Sequence, residues 1–151
     1  MKLTASSTRI EINRSALRLI FILNGAQWRT YPCALGKPST PTPAGNWKIR
    51  EKIVNPSWEV LGTRWMGLDI PAGNYGIHGT NAPWSIGSYI SNGCIRLHNE
   101  HIEEIFPLVS IGTPVKPRLR VAPTTKFDAQ TRVLLAQACQ KLTQVFPRNQ
   151  A

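Results

Sequence analysis

Residues 77–97 read IHGTNAPWSIGSYISNGCIRL, and the prediction of the fold is built outward from this stretch. His78 precedes Cys94 by sixteen residues, and each of the two stands next to a glycine. A cysteine thiolate is a strong nucleophile, and a nearby imidazole can take the proton of the thiol. The same residue types also occur as a buried core cysteine and a hydrogen-bonded core histidine. The pair alone leaves both interpretations open.

The residues around the cysteine suit chemistry at a carbonyl group. Gly93 lets a substrate approach the backbone closely, and successive backbone N–H groups there can form an oxyanion hole. Arg96 follows two residues after Cys94, and its guanidinium can hold a carboxylate with two parallel hydrogen bonds. These neighbours favour an acyl transfer in which the cysteine attacks.

The N-terminal part of the chain has strand patterns. Apolar and polar residues alternate over 9–13, and 17–23 is rich in β-formers. Asn24-Gly25 is the strongest short hairpin signal, because both residues readily take positive φ. With a return strand over 27–35, the chain is predicted to begin with a three-stranded antiparallel meander.

Further strands are predicted over 46–54, 64–70 and 75–78, the last of which would end at the histidine. A rigid proline-containing loop, 36–45, precedes them, and 81–91 is predicted to be a polar crossing loop. The pattern indicates a mainly β fold, a β-rich α+β class.

A short helix is predicted after residue 97, with Asn99 as its N-cap and Pro107 near its end. A last strand follows over 115–121, and Pro117 indicates an edge position. One domain is therefore predicted over 8–121. Residues 122–151 are predicted to be a helical extension that packs on the domain or docks a partner or a second copy. Its apolar stripe comprises Leu134, Leu135, Ala138, Leu142 and Val145.

The chain has 151 residues and a net charge of +10. Residues 1–50 carry eight Lys/Arg and one acid, residues 51–111 three and six, and residues 112–151 seven and one. The basic ends would attract anionic polymers, such as those of a bacterial wall, or serve only as a solubilising surface. Basic runs with interleaved aromatics are absent, so no nucleic-acid partner is expected. The sequence does not determine the oligomeric state.

Three cysteines at positions 33, 94 and 139 form no disulfide framework. Buried free thiols are expected at Cys33 and Cys139, although one bridge between them is conceivable. The apolar run 19–23 is too short for the core of a secretory signal, and no stretch is long enough to span a membrane. No signal peptide or transmembrane segment is therefore predicted.

Several motifs resemble the catalytic domain of the L,D-transpeptidase (YkuD/ErfK-type) family. The motif His78-Gly79-Thr80-Asn81 is followed by Ser85-Ile86-Gly87 and by Ser91-Asn92-Gly93-Cys94-Ile95-Arg96-Leu97. Upstream, Leu35-Gly36-Lys37-Pro38 precedes Thr40-Pro41-Thr42-Pro43-Ala44-Gly45, and Asn55-Pro56 precedes Trp58. The resemblance covers about residues 8–118, with the motifs in the order of the family, and it implies a domain of mixed β-sheets.

The resemblance implies a peptidoglycan enzyme with Cys94 as nucleophile and His78 as general base, oriented by the backbone carbonyl of Gly79. It implies that the amides of Gly93 and Cys94, helped by Asn92, hold the oxyanion. The remaining oxyanion and substrate-binding candidates are Arg96, Ser91, Tyr75 and Trp84. Arg96 is expected either to hold a substrate carboxylate or to brace the loop. Asn92 replaces the histidine that is common before Gly-Cys in the family, so no role for a second histidine is expected there.

The implied reaction forms 3→3 cross-links between peptidoglycan stem peptides through a thioester on Cys94, with release of D-alanine and no cofactor. Water in place of the acceptor amine would make the enzyme an L,D-carboxypeptidase. The implied location is the cell wall. A trimmed sequence, another export route, or a role tied to a change of compartment would each reconcile this location with the absence of a signal in the sequence.

The sequence leaves two other classes of protein open. A zinc-dependent hydrolase could use Cys94, His98, His101 and His78 as ligands. A non-catalytic wall-binding module could depend on the charge alone, and its binding would fall steeply with salt.

Overall fold

The structure of the protein is a computed structural model that describes residues 7–121 together with positions 130, 133, 134 and 137. Within residues 7–121, one α-helix, α1 Asn99–Ile105, and three 3₁₀ turns, Glu59–Leu61, Pro83–Ser85 and Phe106–Leu108, accompany ten strands. The strands are β1 Arg9–Asn13, β2 Arg18–Leu23, β3 Ala26–Pro32, β4 Leu35–Gly36, β5 Trp47–Val54, β6 Arg64–Leu68, β7 Gly76–His78, β8 Tyr89–Ser91, β9 Ile95–Arg96 and β10 Pro114–Arg118. The mainly β class predicted from the sequence is confirmed.

Eight strands form one mixed sheet in the order β3-β2-β1-β10-β5-β6-β7-β9. The predicted meander is confirmed, because β1, β2 and β3 pair antiparallel in succession. The hairpin is confirmed too, with φ of 50° at Asn24 and 86° at Gly25. Two neighbour pairs are parallel, β1 with β10 and β7 with β9. The second of these pairs joins the strand of the histidine to the strand after the cysteine.

One apolar core underlies the sheet. Burial of an aliphatic side chain of this size stabilises a fold by roughly 1.5–3 kcal/mol. Because the core takes residues from both ends of the sheet, it holds β7 and β9 firmly against the meander and α1. Its fully buried members include Ile10, Ile12, Phe21, Ile77, Ile95, Leu97, Ile102 and Ile105.

The segment predicted as a plain crossing loop, 81–91, contains more structure than expected. It includes the turn Pro83–Ser85 and strand β8, which pairs in parallel with β4 to form a separate two-stranded ribbon. Strand β8 lacks the alternation of buried and exposed residues that predicts a strand, because Tyr89 and Ile90 are both exposed. The strand predicted over 64–70 is also shorter and ends at Leu68.

The N-cap prediction for Asn99 is wrong. His98 occupies the N-cap position of α1, and Asn99 is the first residue of the helix. The side chain of Asn99 instead accepts hydrogen bonds from two loop amides, so it is not available to its own helix. The short length of α1 agrees with the prediction from Pro107.

Pro117 predicts that the last strand lies at the edge of a sheet, and this is correct only for the part of the strand around Pro117. Strand β10 lies inside the sheet, between β1 and β5. Its pairing with β5 stops at Val115, whereas its pairing with β1 continues through Pro117 and Arg118. Proline is tolerated because the β5 side of the strand is already unpaired at that residue.

The predicted C-terminal extension, 122–151, lies almost entirely outside the described residues. Positions 130, 133, 134 and 137 are helical, and the side chains of Val133 and Leu134 are exposed. The boundary at 121 stays a prediction. Among the described residues, no helix combines the length and the apolar character that crossing a membrane requires.

Candidate active site

Strand β7 delivers His78 into a buried position. The strand pairs antiparallel with β6, where Trp65 lies opposite His78. The two rings stack with their centroids 5.7 Å apart and an interplanar angle of 26°. Only 3% of His78 is exposed. The indole therefore limits the rotation of the imidazole and keeps water from one of its faces.

The imidazole is held by a backbone carbonyl. Nδ1 of His78 lies 2.5 Å from the carbonyl oxygen of Gly79, the contact that the family resemblance implies. A carbonyl can only accept, so Nδ1 carries the proton and Nε2 is left with its lone pair. Burial lowers the pKa of His78 to about 4; the bond to Gly79 opposes this shift, and the charge of Arg96 adds to it. At neutral pH the imidazole is therefore neutral.

The parallel pairing of β7 with β9 sets the positions of the other site residues. Ile77 pairs with Ile95, and His78 pairs with Arg96. Both isoleucines are fully buried, so His78 and Arg96 lie on the opposite face of the sheet. Cys94 directly precedes this pairing and is partly buried. The register thus brings the cysteine, the histidine and the arginine to one end of the sheet.

The thiol of Cys94 rests in its protonated form. Burial raises the pKa of Cys94, whereas a hydrogen bond from the backbone of Gly76 and the charge of Arg96 lower it. Sγ also lies 3.8 Å from the carbonyl oxygen of Asn74, which can accept from an S–H group. A neutral thiol and a neutral imidazole correspond to base-assisted attack rather than to a preformed ion pair.

Ser91 closes the turn that carries the cysteine. Its hydroxyl donates to the carbonyl oxygen of Cys94 at 2.6 Å and accepts from the amide of Gly93 at 3.1 Å. The Gly93 amide is thereby engaged, and it can bind an oxyanion only if its bond to Ser91 breaks. The Cys94 amide is the other backbone candidate of the predicted pair, and its role stays a prediction.

Tyr75 explains why position 93 is a glycine. The φ of Gly93 is 119°, and a Cβ there would lie 2.5 Å from the ring of Tyr75. The half-buried tyrosine thus packs directly against the cysteine turn. Its predicted role in substrate binding stays a prediction, whereas its contact with the turn is observed.

Arg96 braces the crossing loop with one nitrogen. Nη1 lies 3.4 Å from the hydroxyl oxygen of Ser85, and the backbone of Arg96 exchanges two hydrogen bonds of 2.9 Å with Ala34. Nε is buried and has no hydrogen-bond partner among the residues that the structure describes. The observed contacts of Arg96 are thus with Ser85 and Ala34, and its predicted role in holding a substrate carboxylate stays a prediction.

Trp84 and Asn92 lie at the surface. Trp84 is 79% exposed on the turn that follows the histidine, and Asn92 is exposed beside the cysteine turn. Within the described part of the chain, neither side chain forms a hydrogen bond with Cys94 or His78. Their roles at the substrate stay predictions.

The sequence analysis missed a set of polar contacts that hold the cysteine turn from behind. The amide of Lys37 and the hydroxyl of Thr40 both donate to the carbonyl oxygen of Ser91 at 3.0 Å. The hydroxyl of Thr42 accepts from the buried amide of Gly36 at 3.0 Å. The signal was present in the Thr-Pro-Thr-Pro run, but its role could not be inferred without the pairing of β4 with β8.

A second missed residue is Asn99. Its Oδ1 accepts from the amide of Thr80 at 3.0 Å and from the amide of Thr63 at 3.3 Å. Thr80 follows Gly79, so this side chain contacts the same backbone segment that orients His78. No sequence pattern predicts this contact, because an asparagine before an amphipathic segment indicates a helix N-cap.

The described residues contain no set of side chains that could form the zinc site of the alternative hypothesis. The rings of His98 and His101 are near each other, with centroids 5.3 Å apart, but no three His, Cys, Asp or Glu side chains there are placed to hold a metal. Cys33 is buried, and burial raises its pKa to about 12, which makes it a poor nucleophile. Cys139 lies outside the described residues.

Comparisons with known proteins agree with this geometry. The sequence profile of the YkuD family, described as the L,D-transpeptidase catalytic domain, matches residues 7–116. Over 118 residues the chain is 35% identical to the putative L,D-transpeptidase YqjB of Bacillus subtilis, covering 69% of the chain and 67% of that relative. Over 106 residues it is 42% identical to the putative L,D-transpeptidase YkuD of the same organism, covering 70% and 63%.

Solved structures show the same architecture. The catalytic domain of an L,D-transpeptidase from E. faecium is 26% identical, with a TM-score of 0.61, and the alignment covers 76% of this chain and 98% of that one. The L,D-transpeptidase LdtMt1, solved in complex with imipenem, is 25% identical, with a TM-score of 0.62 and coverage of 76% and 60%. From residue 7 to residue 116 the chain therefore belongs to the YkuD family of L,D-transpeptidase catalytic domains.

Proposed function

We propose that this protein is a cysteine-dependent L,D-transpeptidase that joins peptidoglycan stem peptides by 3→3 cross-links. The observation that carries the proposal is the state of His78: its Nδ1 is bound to the carbonyl of Gly79, and its pKa is lowered to about 4. The free lone pair of Nε2 then serves as the proton acceptor for the thiol of Cys94. Base-assisted proton transfer of this kind contributes roughly 10²–10⁴-fold to a rate.

The first half-reaction acylates the cysteine. Sγ of Cys94 attacks the carbonyl that joins the L-centre of stem residue three to the terminal D-alanine, and its proton passes to Nε2 of His78. The amide of Cys94 stabilises the oxyanion. The C–N bond breaks, the proton of His78 goes to the leaving amine, and D-alanine departs. A thioester on Cys94 remains.

The second half-reaction transfers the acyl group. An amine from a neighbouring stem gives its proton to His78 and attacks the thioester, and the thiolate leaves and regains that proton. The product is the 3→3 cross-link. If water attacks instead, the same thioester is hydrolysed, and the enzyme acts as an L,D-carboxypeptidase. In either outcome, the guanidinium of Arg96 is proposed to hold a carboxylate of the stem.

The proposed location is the cell wall, where the substrate is found. The basic segments 1–50 and 112–151 are proposed to favour contact with anionic wall polymers. If this contact is only electrostatic, binding to isolated wall material falls steeply as the salt concentration rises. The C-terminal residues 122–151 are proposed as an extension outside the catalytic domain.

Acylation by a carbapenem tests the nucleophile directly. LdtMt1 was solved in complex with imipenem, so this ligand is the natural probe. Intact mass spectrometry of the wild type should detect one imipenem adduct, and the Cys94→Ala variant should give none. Cys33→Ser is the matched control and should acylate like the wild type. An adduct on Cys94→Ala, or none on the folded wild type, would refute the proposal.

A second assay identifies the acceptor. The protein is incubated with purified stem tetrapeptide muropeptides, and the products are separated by mass. Cross-linked dimers that lack one D-alanine support the transpeptidase, and tripeptides alone would assign the carboxypeptidase. Turnover retained by Cys94→Ala would support neither and would point to a metal-dependent hydrolase, whereas no turnover by the folded wild type would point to a non-catalytic module.

A further inference from the structure

The peptide group between Gly79 and Thr80 is held from both sides. Its carbonyl oxygen faces Nδ1 of His78, and its N–H donates to Oδ1 of Asn99 at 3.0 Å. A trans peptide group is planar, so the N–H and the C=O point in opposite directions along one plane. A side chain that fixes the N–H therefore also fixes the direction of the carbonyl that orients the histidine.

Asn99 is itself firmly placed. It begins α1, which is anchored in the core by the fully buried Ile102 and Ile105. Its Oδ1 also accepts from the amide of Thr63 at 3.3 Å, so one oxygen joins two loops. Because both bonds use the same acceptor, the side chain cannot rotate without losing both of them.

The surrounding backbone leaves room for this oxygen only because two residues lack a Cβ. A Cβ at Gly62 would lie 2.2 Å from Oδ1 of Asn99, and a Cβ at Gly79 would lie 2.1 Å from it. Contacts that close do not occur in folded proteins, so any other residue at either position would displace the amide side chain. The amide of Gly79 in turn donates to the carbonyl oxygen of Arg64 at 3.1 Å, which fixes the preceding peptide group.

We propose that Asn99 is a positioning residue that sets the tautomer of His78 through the Gly79–Thr80 peptide group. The catalytic part of this inference rests on the proposed function, whereas the tautomer itself does not. When Thr80 N–H donates to Asn99, the carbonyl of Gly79 is polarised and becomes a stronger acceptor for the Nδ1 proton. The same bond prevents the flexible glycine from turning that carbonyl away.

Loss of the Asn99 acceptor has a defined consequence. The freed peptide group can rotate about the backbone bonds of Gly79, which has no Cβ to restrain it. Nδ1 then loses its acceptor, and the proton of the imidazole redistributes to Nε2. An imidazole protonated at Nε2 cannot take the proton of Cys94, so the site binds substrate without reacting at the normal rate.

The experiment compares Asn99→Leu, which is similar in shape and has no acceptor, with Asn99→Asp, which keeps an acceptor oxygen in place of Oδ1. ¹⁵N NMR of the imidazole should show the proton on Nδ1 of His78 in the wild type and in Asn99→Asp. Asn99→Leu should show a mixture or the Nε2–H form. Its kcat should fall roughly 10- to 100-fold with KM within about twofold, because a misplaced base affects chemistry more than binding.

Arg29→Ala is the control for a loosened helix. Nη1 of Arg29 lies 2.7 Å from both carboxylate oxygens of Glu104 on α1, so the variant weakens the docking of the helix without touching Asn99. It should keep the wild-type tautomer and kcat. If Asn99→Leu does not fold, Asn99→Ala removes the acceptor without added bulk and carries the same expectation.

The outcomes separate this inference from the proposed function. A wild-type tautomer in folded Asn99→Leu or Asn99→Ala would overturn the positioning role, whatever the activity. A shifted tautomer in a protein whose Cys94→Ala variant still turns over would uphold the positioning role and reject the proposed function. The NMR readout needs no substrate, so the two failures cannot be confused.

Discussion

The hydroxyl of Thr40 donates to the carbonyl oxygen of Ser91 at 3.0 Å, across 51 positions of the sequence. The amide of Lys37 donates to the same oxygen at 3.0 Å. Ser91 in turn bonds to the backbone of Gly93 and Cys94. The proline-rich loop is thus the outer support of the cysteine turn, two hydrogen bonds removed from Cys94.

Thr40→Val removes one of these supports and keeps the shape of the side chain. We expect a loss of about 1 kcal/mol in the free energy of unfolding, the usual effect of one hydrogen bond. Acylation of Cys94 by imipenem should slow several-fold, because the turn loses a fixed point. Urea denaturation and time-resolved intact mass measure the two effects. Ser39→Ala, exposed on the same loop, is the control, and equal effects in the two variants would contradict the prediction.

Gly93→Ala should damage the site more than Gly87→Ala. Both glycines have positive φ, 119° and 94°, so alanine is strained at either position by roughly 1–2 kcal/mol. Only at position 93 would the new Cβ also meet the ring of Tyr75, at 2.5 Å; at position 87 nothing lies within 4 Å. We therefore expect Gly87→Ala to lower the melting temperature alone, whereas Gly93→Ala also slows imipenem acylation. Equal acylation rates would show that Tyr75 can move aside without cost.

The elements predicted correctly from sequence are those with a local cause. Asn24-Gly25 fixes its hairpin by its own backbone preference, and the buried strand ending at His78 is bounded by glycines and a turn. The short helix α1 follows from its apolar spacing and Pro107. In each case the determinant lies within a few residues of the element.

The features that sequence did not reveal depend on distant partners. Strand β8 exists only because β4, more than fifty positions away, pairs with it. The side chain of Asn99 is of a type that commonly caps helices. Its oxygen instead accepts hydrogen bonds from the loop amides of Thr63 and Thr80. A sequence motif likewise does not reveal that the amide of Gly93 donates to the hydroxyl of Ser91. A motif identifies which residues form the cysteine turn, but not which of their donors are already used.

Lys52 is predicted to matter for stability and not for catalysis. Its Nζ donates to the carbonyl oxygens of Phe106 and Val109, each at 2.6 Å, and lies 4.2 Å from the centroid of the Phe106 ring. Lys52 lies on strand β5 and thereby donates hydrogen bonds to two carbonyls just after α1. Lys52→Met should lower the free energy of unfolding by about 1–3 kcal/mol, since two carbonyls lose a charged donor.

The control for Lys52→Met is Lys48→Met on the exposed side of the same strand. It should change stability by less than about 0.5 kcal/mol. Chemical denaturation measures both, and imipenem acylation of the folded variants should match the wild type. A stability loss shared by both variants would mean that general surface charge, rather than the bonds to Phe106 and Val109, accounts for the effect.

The rate of acylation should fall at acid pH with a midpoint near pH 4 rather than near pH 6.5. Burial lowers the pKa of His78 to about 4, so the imidazole still accepts a proton at pH 5, where an exposed histidine would be charged. The dependence of kcat/KM on pH reports this group in the free enzyme. Between pH 6.5 and 4 the unfolded chain binds a proton at His78 that the folded protein excludes, so the free energy of unfolding falls as the pH falls through this window. Far-UV circular dichroism at each pH separates loss of rate from loss of fold. A midpoint of the rate near pH 6.5 in folded protein would mean that the imidazole is solvated and that the stacking with Trp65 does not shield it.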